Sequence, residues 1–335
     1  MRTAIVLTAL LSLTLLANDD VSQLRRGGQA SVDELIAEGA SNELLDRVCA
    51  QKDCHASRLF WFTDLDEAKD AARATGRPIL ALYMLGRLDE ELSCANSRFF
   101  RVMLYSDPAI ASVLRERYVL YWHSVRPVPR VTIEMGDGRR IQQTIAGNSI
   151  HYLLDAGGNV LDGLPGLHSP KAFRAQLVEW LTLDRTNMRA YHAARVFPAV
   201  RVEAISVSAE DVSRLAATKA VVERPLLRQL RIGSRPPVLA SIPGDDVAFS
   251  RESLALMQTK QALTDELMAN VRSAVAADTL FNRELHGTIH QWFANGEVTD
   301  LVSLNERVYA ELFLTPSDDP WLGLNPSSVF AAIRN

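Results

Sequence analysis

The stretch that decides the fold reads RPILALY (residues 77–83) and continues, after a connector, into CANSRFF (94–100). The uninterrupted apolar run of the first segment predicts a buried strand. Cys94 falls at the predicted start of the helix that follows. A thiolate at such a position faces unpaired N–H groups and the positive end of the helix dipole. Cys94 is therefore the first candidate for chemistry.

The composition limits the classes of function. The chain has 335 residues, so two domains are expected, and 47% of the residues are hydrophobic, which is ample for a buried core. The 36 basic and 40 acidic residues give a formal charge of -4. This near balance predicts no basic surface for nucleic acid, which we exclude as an expected partner.

The N-terminus has the pattern of a secretory signal. A charged start at Arg2 is followed by an apolar run from Ala4 to Leu16, and Ala17 precedes polar residues. Leu15 is large for a cleavage site, so an uncleaved anchor is the alternative. The run is too short to span a bilayer comfortably. We expect export to the periplasm or beyond, with no stable transmembrane span once the signal is removed.

Local signals predict the elements around the 77–100 stretch. A capping box at residues 31–34 predicts a helix, and glycines at 136 and 138 predict a hairpin turn. Further helices are expected at 65–72, after Asp107 and at 170–181, and further strands at 118–122, 130–135, 140–146, 150–154 and 160–161. This order indicates a mixed sheet covered by helices.

Four phrases, taken in order, carry a resemblance to a known family. They are EAK to GRPIL (67–80), CANS before YSDP (94–108), YLLD to GNV (152–160) and LPG (164–166). Through their order and spacing, the region from Trp61 to Leu181 resembles the thioredoxin-like domains of exported bacterial proteins. The resemblance implies an α/β thioredoxin-like domain with a mixed sheet flanked by helices.

Two departures from that family bear on chemistry. The family's C-x-x-C motif ends here in Ser97, so no second thiol in the motif can release a mixed disulfide. The family's cis-proline before the hairpin strand is also missing, since residues 147–151 read GNSIH. A one-cysteine mechanism stays open, with Cys94 as nucleophile, the Ser97 hydroxyl as its hydrogen-bond partner and His151 as base or thiolate partner.

The charged residues near Cys94 in the sequence have opposite effects on its thiolate form. Asp89, Glu90 and Glu91 in the connector disfavour a thiolate, whereas Arg98 in the first helical turn favours one. The alternative is that Cys94 is a small buried side chain at a helix start. Two functions follow: an exported monothiol oxidoreductase or isomerase acting on protein or small-molecule thiols, or a redox-inactive binding or scaffold protein on the same fold.

Three cysteines permit at most one intramolecular disulfide. The local pair Cys49 and Cys54 is the expected bridge, and the alternative is that one of them resolves Cys94. The string CAQKDCH (49–55) is also a widened form of the haem c attachment motif, in which His55 would ligate iron. A haem c carrier is thus a third hypothesis. Because the usual spacing is C-x-x-C-H, no cofactor is predicted.

One pair of histidines has the spacing of metal ligands. His286 and His290 are four residues apart on a predicted helix, so both rings can face one ion. No third ligand is evident from the sequence, and Gly287 between them weakens the helix. No metal site is therefore predicted.

The organisation that follows has four parts. They are a signal peptide at 1–17, an N-terminal helical lead-in at 18–58, the thioredoxin-like domain at 59–183, and a mostly α-helical C-terminal domain of unassigned role at 184–335. Within the last part, a Pro-rich stretch at 198–250 predicts loops. Residues 250–292 predict two helices, the second from about Thr279.

Overall fold

A computed structural model describes residues 18–144, 147–183, 185–196, 247–316 and 318. The predicted signal peptide and nearly all of the Pro-rich stretch lie outside these residues.

A four-stranded mixed sheet forms the centre of the molecule, as predicted. The strand order is β2-β1-β5-β6; β1 is parallel to β2 and antiparallel to β5, and β5 is antiparallel to β6. Every residue of β1 and β5 is buried, because both strands lie in the middle of the sheet. The strands are β1 (Ile79–Leu85), β2 (Val119–Arg126), β5 (Ser149–Leu154) and β6 (Val160–Pro165).

Helices flank this sheet. Three of them begin at polar caps: Asp64, Asp107 and Ser169 each accept backbone N–H groups of the first helical turn. The helices are α5 (Leu65–Thr75), α6 (Ala95–Phe99), α7 (Pro108–Arg117) and α8 (Pro170–Leu181). A π-helical turn, Phe100–Leu104, continues α6. This turn carries side chains that surround the cysteine region.

The predicted hairpin forms a separate two-stranded sheet. Strands β3 (Arg130–Glu134) and β4 (Arg140–Thr144) pair antiparallel, with Ile133 opposite Ile141. Gly136 and Gly138 in the turn have φ values of 80° and 88°, which glycine adopts without steric cost. All residues of β3 are exposed.

Four short helices form the N-terminal lead-in: α1 (Asn18–Arg26), α2 (Gln29–Ala37), α3 (Asn42–Cys49) and α4 (Cys54–Ser57). The predicted capping box at 31–34 is wrong. Helix α2 begins at Gln29, with Gly28 as its N-cap, so Ser31 lies inside the helix. Instead, Ser41 caps α3 by accepting the Leu44 N–H. This lead-in has its own hydrophobic cluster, which includes Val32, Leu45 and Val48.

The C-terminal region is helical. Its helices are α9 (Met188–Ala193), α10 (Arg251–Lys260), α11 (Asp265–Asn295) and α12 (Leu301–Arg307), and a π-helical turn, Val308–Leu312, extends the last one. The predicted break near Thr279 is wrong. The chain turns at 261–264 instead, where Thr264 caps α11 by accepting the Leu267 N–H. These helices share one hydrophobic core with the sheet.

None of the helices in the described ranges is both long enough and apolar enough to span a membrane.

Candidate functional site

Cys94 lies at the helix start that the sequence predicts. It is the N-cap residue of α6, and its Sγ accepts the backbone N–H of Ser97 at 3.4 Å. The side chain has no exposed surface and belongs to the core beneath the sheet. The thiol therefore has the helix-start position of a reactive cysteine, but it is not accessible to reagents in solution.

Ser97 contacts Cys94 through its backbone. Its hydroxyl lies 2.6 Å from Ser93 Oγ and 2.9 Å from the carbonyl oxygen of Cys94. Ser97 is fully buried as well. The hydroxyl thus holds the loop before α6 against the first helical turn.

His151 is buried on β5, where it pairs with Leu82 of β1. Its Nε2 lies 2.7 Å from the hydroxyl of Tyr105. Burial, with a smaller contribution from His168, lowers the pKa of His151 to about 3, so the ring is neutral at physiological pH. Burial and then the charge that Cys94 would carry raise the pKa of Tyr105 well above its usual value. Tyr105 thus contacts His151 directly and would also be affected by a charge on Cys94.

The C-terminal π-helical turn covers the cysteine end of the sheet. Tyr309 is fully buried, and burial followed by the charge of a Cys94 thiolate raises its pKa well above the usual value. Its hydroxyl donates to the carbonyl of Asn148 at 3.3 Å, and the Asn148 amide donates to Thr315 at 2.8 Å. These bonds tie the loop before β5 to the C-terminal segment. The described residues contain no cis peptide bond.

A buried cation lies near this cluster and was missed at the sequence level. Arg101, on the π-helical turn after α6, is 1% exposed; its Nη2 lies 3.4 Å from Ser93 Oγ, and its Nη1 lies 3.6 Å from an Asp53 carboxylate oxygen. Lys260 of α10 binds the same carboxylate at 2.9 Å. The signal available from the sequence was an arginine seven residues after a candidate cysteine, which is too common to select.

The acidic residues of the connector are paired. Asp89 binds Arg87, Glu90 binds Arg130 at 2.8 Å and Glu91 binds Lys260 at 3.4 Å. Arg98 donates to the Thr144 hydroxyl at 2.8 Å. The three acidic residues that were expected to disfavour a Cys94 thiolate are thus paired with neighbouring cations.

Cys49 and Cys54 form the expected disulfide, which joins the end of α3 to the start of α4. Cys94 is outside any disulfide. Because the bridge uses both sulfurs of the CAQKDCH string, neither is available for a thioether to haem. His55 is exposed.

A second cluster of polar groups lies at the β6 edge of the sheet, between β6 and the C-terminal helices. Asp162, His192, His286 and His290 are all buried there. His286 Nε2 lies 3.0 Å from Asp162 Oδ1, and His290 Nδ1 lies 3.8 Å from the same oxygen. The Nδ1 atoms of His192 and His290 are 2.7 Å apart. Sequence spacing indicated only His286 and His290.

Burial sets the protonation of two of these rings. It lowers the pKa of His290 to about 3, with His286 adding to the effect, and it lowers the pKa of His192. Both rings are therefore neutral at physiological pH.

No protein-family model and no curated protein matches this chain.

Proposed function

We propose that this chain is an exported protein with a thioredoxin-like fold that has lost dithiol exchange and acts as a binding or scaffold protein. The observation that carries the proposal is the complete burial of Cys94. A thiol exchanges with a disulfide only when the thiolate can reach the partner sulfur. Cys94 has no surface for that approach.

The sheet supports the fold assignment. A parallel β1–β2 pair, with β5 and β6 added antiparallel beside β1, is the arrangement that the resemblance implies. Cys94 follows β1 and caps the next helix, which is the position expected for the family's first cysteine. The departures at Ser97 and at residues 147–151 concern the chemistry and leave this topology intact.

The lack of a resolving thiol supports the loss of exchange. Cys49 and Cys54 are bonded to each other, so neither is a free thiol that could release a mixed disulfide from Cys94. His151, the proposed base, is a neutral core residue bound to Tyr105. A binding role instead needs accessible side chains, and the β3–β4 hairpin exposes Val131, Ile133 and Met135.

A second candidate is a monothiol reaction of Cys94 that follows opening of the C-terminal segment. Two observations favour it. Cys94 Sγ accepts a backbone N–H at the start of α6, and the buried cation Arg101 contacts Ser93, the residue before Cys94. Both stabilise a thiolate. In this mechanism Cys94 would attack the disulfide of a protein or small-molecule substrate, form the mixed disulfide and release the other sulfur as a thiolate.

The deciding experiment is the pH dependence of thiol alkylation in the mature protein, with mass spectrometry to locate the label. We expect Cys94 to react at least about 100-fold more slowly in the native protein than in urea, because a buried thiol reacts only after local opening. Fast native labelling with an apparent pKa well below the free-thiol value of about 8.5 would overturn the proposal in favour of the monothiol reaction. Cys94→Ser provides the blank.

A further inference from the structure

We propose that Asp162, His286 and His290 bind one divalent transition-metal ion of the Zn²⁺ class, and that His192 supplies the fourth ligand. The four side chains come from β6, α9 and α11 and meet in the core. The proposal is independent of Cys94 and goes beyond the binding role proposed above.

The spacing of the donor atoms supports a common ion. In a tetrahedral site with bonds of about 2.0–2.1 Å, neighbouring donor atoms are roughly 3.3 Å apart. The two Asp162–histidine distances are 3.0 and 3.8 Å, and the two facing Nδ1 atoms of His192 and His290 are 2.7 Å apart. One ligand atom from each of Asp162, His286 and His290 lies within 4.8 Å of the other two. His192 is not within that distance of all three, so its ring must shift toward the other ligands when the ion binds.

His192 is oriented as a ligand by its second nitrogen. Its Nε2 lies 2.9 Å from the carbonyl oxygen of Leu161. A carbonyl only accepts, so in the neutral ring Nε2 carries the hydrogen and Nδ1 presents a lone pair. That lone pair meets Nδ1 of His290, and either a proton or a metal ion must separate the two nitrogens. A backbone carbonyl that fixes the outer nitrogen is the usual support for a metal-bound histidine.

The carboxylate of Asp162 is held in the same way. Its Oδ2 accepts the indole N–H of Trp180 at 2.8 Å and the hydroxyl of Tyr191 at 3.3 Å. Its Oδ1, which also accepts the Gly163 N–H, points toward the imidazoles. One oxygen is thus occupied by fixed donors, while the other is directed into the cluster.

The charge balance favours a cation at this place. Asp162 is fully buried, and an isolated buried carboxylate is costly unless a positive charge compensates it. Arg195, which also faces the cluster, is paired with Glu179 at 2.8 Å. A divalent ion bound by Asp162 would place positive charge directly beside this carboxylate.

The donor set selects the class of metal. Imidazole nitrogens suit Zn, Fe, Cu and Ni, whereas Mg²⁺ and Ca²⁺ require oxygen ligands. Four buried protein ligands make a closed site, which is typical of a structural rather than a catalytic metal. The ion would tie α9 and α11 to the edge strand β6. Its expected effect is to stabilise the C-terminal helices on the sheet.

The test uses the full-length mature protein. After treatment with a chelator and its removal, we expect the protein to bind one equivalent of Zn²⁺ or Co²⁺ per chain with a Kd below about 1 µM. Bound Co²⁺ should give the visible absorption of a tetrahedral site, and Zn²⁺ should raise the melting temperature. Repeating the titration in Cys94→Ser excludes the thiol as a ligand, so the result does not depend on the proposed function.

Three matched variants locate the site. His286→Gln and His290→Asn each place an amide nitrogen near the imidazole nitrogen that they replace, so a neutral donor to Asp162 is kept while the metal ligand is lost. Each should weaken Co²⁺ binding by more than about 100-fold. His168→Gln is the control, because this buried histidine binds the Pro165 carbonyl at 2.9 Å and lies outside the ligand set.

The proposal is overturned if the wild-type protein binds less than one equivalent of either ion at excess metal and melts at the same temperature with Zn²⁺ and with chelator. The cluster would then be a hydrogen-bonded network in which His290 Nδ1–H donates to His192. This outcome is read from the wild type and does not require the variants to fold. Equal binding by His286→Gln, His290→Asn and the control would also overturn it.

Discussion

The hydroxyl of Tyr105 lies 2.7 Å from Nε2 of His151 inside the core of the molecule. The other ring nitrogen of His151, Nδ1, has no hydrogen-bond partner, and the ring lies between Phe100 and Phe173 at centroid distances of 4.8 and 4.9 Å. The pair therefore forms a small polar contact in apolar surroundings. Tyr105 belongs to the same hydrophobic core as Cys94.

We expect Tyr105→Phe to lower the free energy of unfolding by about 1–3 kcal/mol, because it leaves the buried imidazole without a partner on either nitrogen. Equilibrium urea unfolding measures the loss. Tyr121→Phe is the control, since its hydroxyl contacts His123, at a long 3.4 Å, and Tyr83, but not His151. Equal losses in the two variants would show that the Tyr105–His151 bond contributes nothing specific.

The stability of the protein should depend on pH through His151. Its folded pKa of about 3 is below the value of about 6.5 in an unfolded chain. Between these values the unfolded state binds the extra proton, so the stabilisation is present above pH 6.5 and is lost as the pH falls toward 3. The slope for this single group is at most about 1.4 kcal/mol per pH unit.

His151→Gln should flatten this dependence, as measured by urea unfolding at several pH values between 4 and 7. The comparison uses slopes, so a constant loss of stability in the variant does not affect it. Two titratable groups face His151: Tyr105, which stays protonated in this range, and His168, whose pKa burial also lowers to about 3. His168→Gln is therefore measured in parallel. An unchanged slope in His151→Gln would contradict the neutral assignment.

Removing the ring of Tyr309 should open a route to Cys94. We expect Tyr309→Ala to cost about 3–5 kcal/mol, the range for large aromatic truncations in a core. It should also raise the native alkylation rate of Cys94 by roughly tenfold or more, because local opening becomes cheaper than global unfolding. Trp180→Ala, beside the edge strand β6, is the control, because it should lower the stability by a similar amount. If both variants label Cys94 equally at matched stability, Tyr309 is not the cover.

Asp53 is the common counterion of Arg101 and Lys260, at 3.6 and 2.9 Å. We expect Asp53→Asn to lower the unfolding free energy by about 3–5 kcal/mol, because the buried Arg101 loses the carboxylate with which it is paired. Asparagine suits this position sterically, since Asp53 has φ 63° and asparagine also adopts left-handed conformations.

Thermal unfolding measures this loss, and Asp137→Asn is the control for charge removal. Asp137 pairs with Arg139 on the exposed hairpin, where no measurable change in stability is expected. A similarly small effect at Asp53 would mean that Arg101 finds another partner in the folded state.

The elements of the sheet were predictable from local pattern. The apolar run at 79–83 specifies a buried strand whatever its neighbours, and Asp107 and Ser169 cap helices because their side chains reach the N–H groups two or three residues ahead. Such signals act within a few residues of sequence. The two helix errors concern where helices begin: α2 begins before Ser31, and the chain turns at 261–264 rather than near Thr279.

The cysteine end was only partly predictable. The sequence placed Cys94 at a helix start and favoured a Cys49–Cys54 bridge, and both placements are found in the structure. It could not indicate that Tyr309, more than two hundred residues later, would share a core with Cys94, because that depends on how the C-terminal helices pack on the sheet. The accessibility of a thiol is a property of the tertiary structure.

The histidine cluster shows the same division most clearly. The sequence by itself determined that His286 and His290 share one face of a helix, because four residues make about one helical turn. Only the tertiary structure decided that this face meets Asp162 on β6, 124 residues earlier, and His192 on α9. The physical reason is that helix periodicity is set by local backbone hydrogen bonds, whereas the partners of a helix face are set by burial of the whole core.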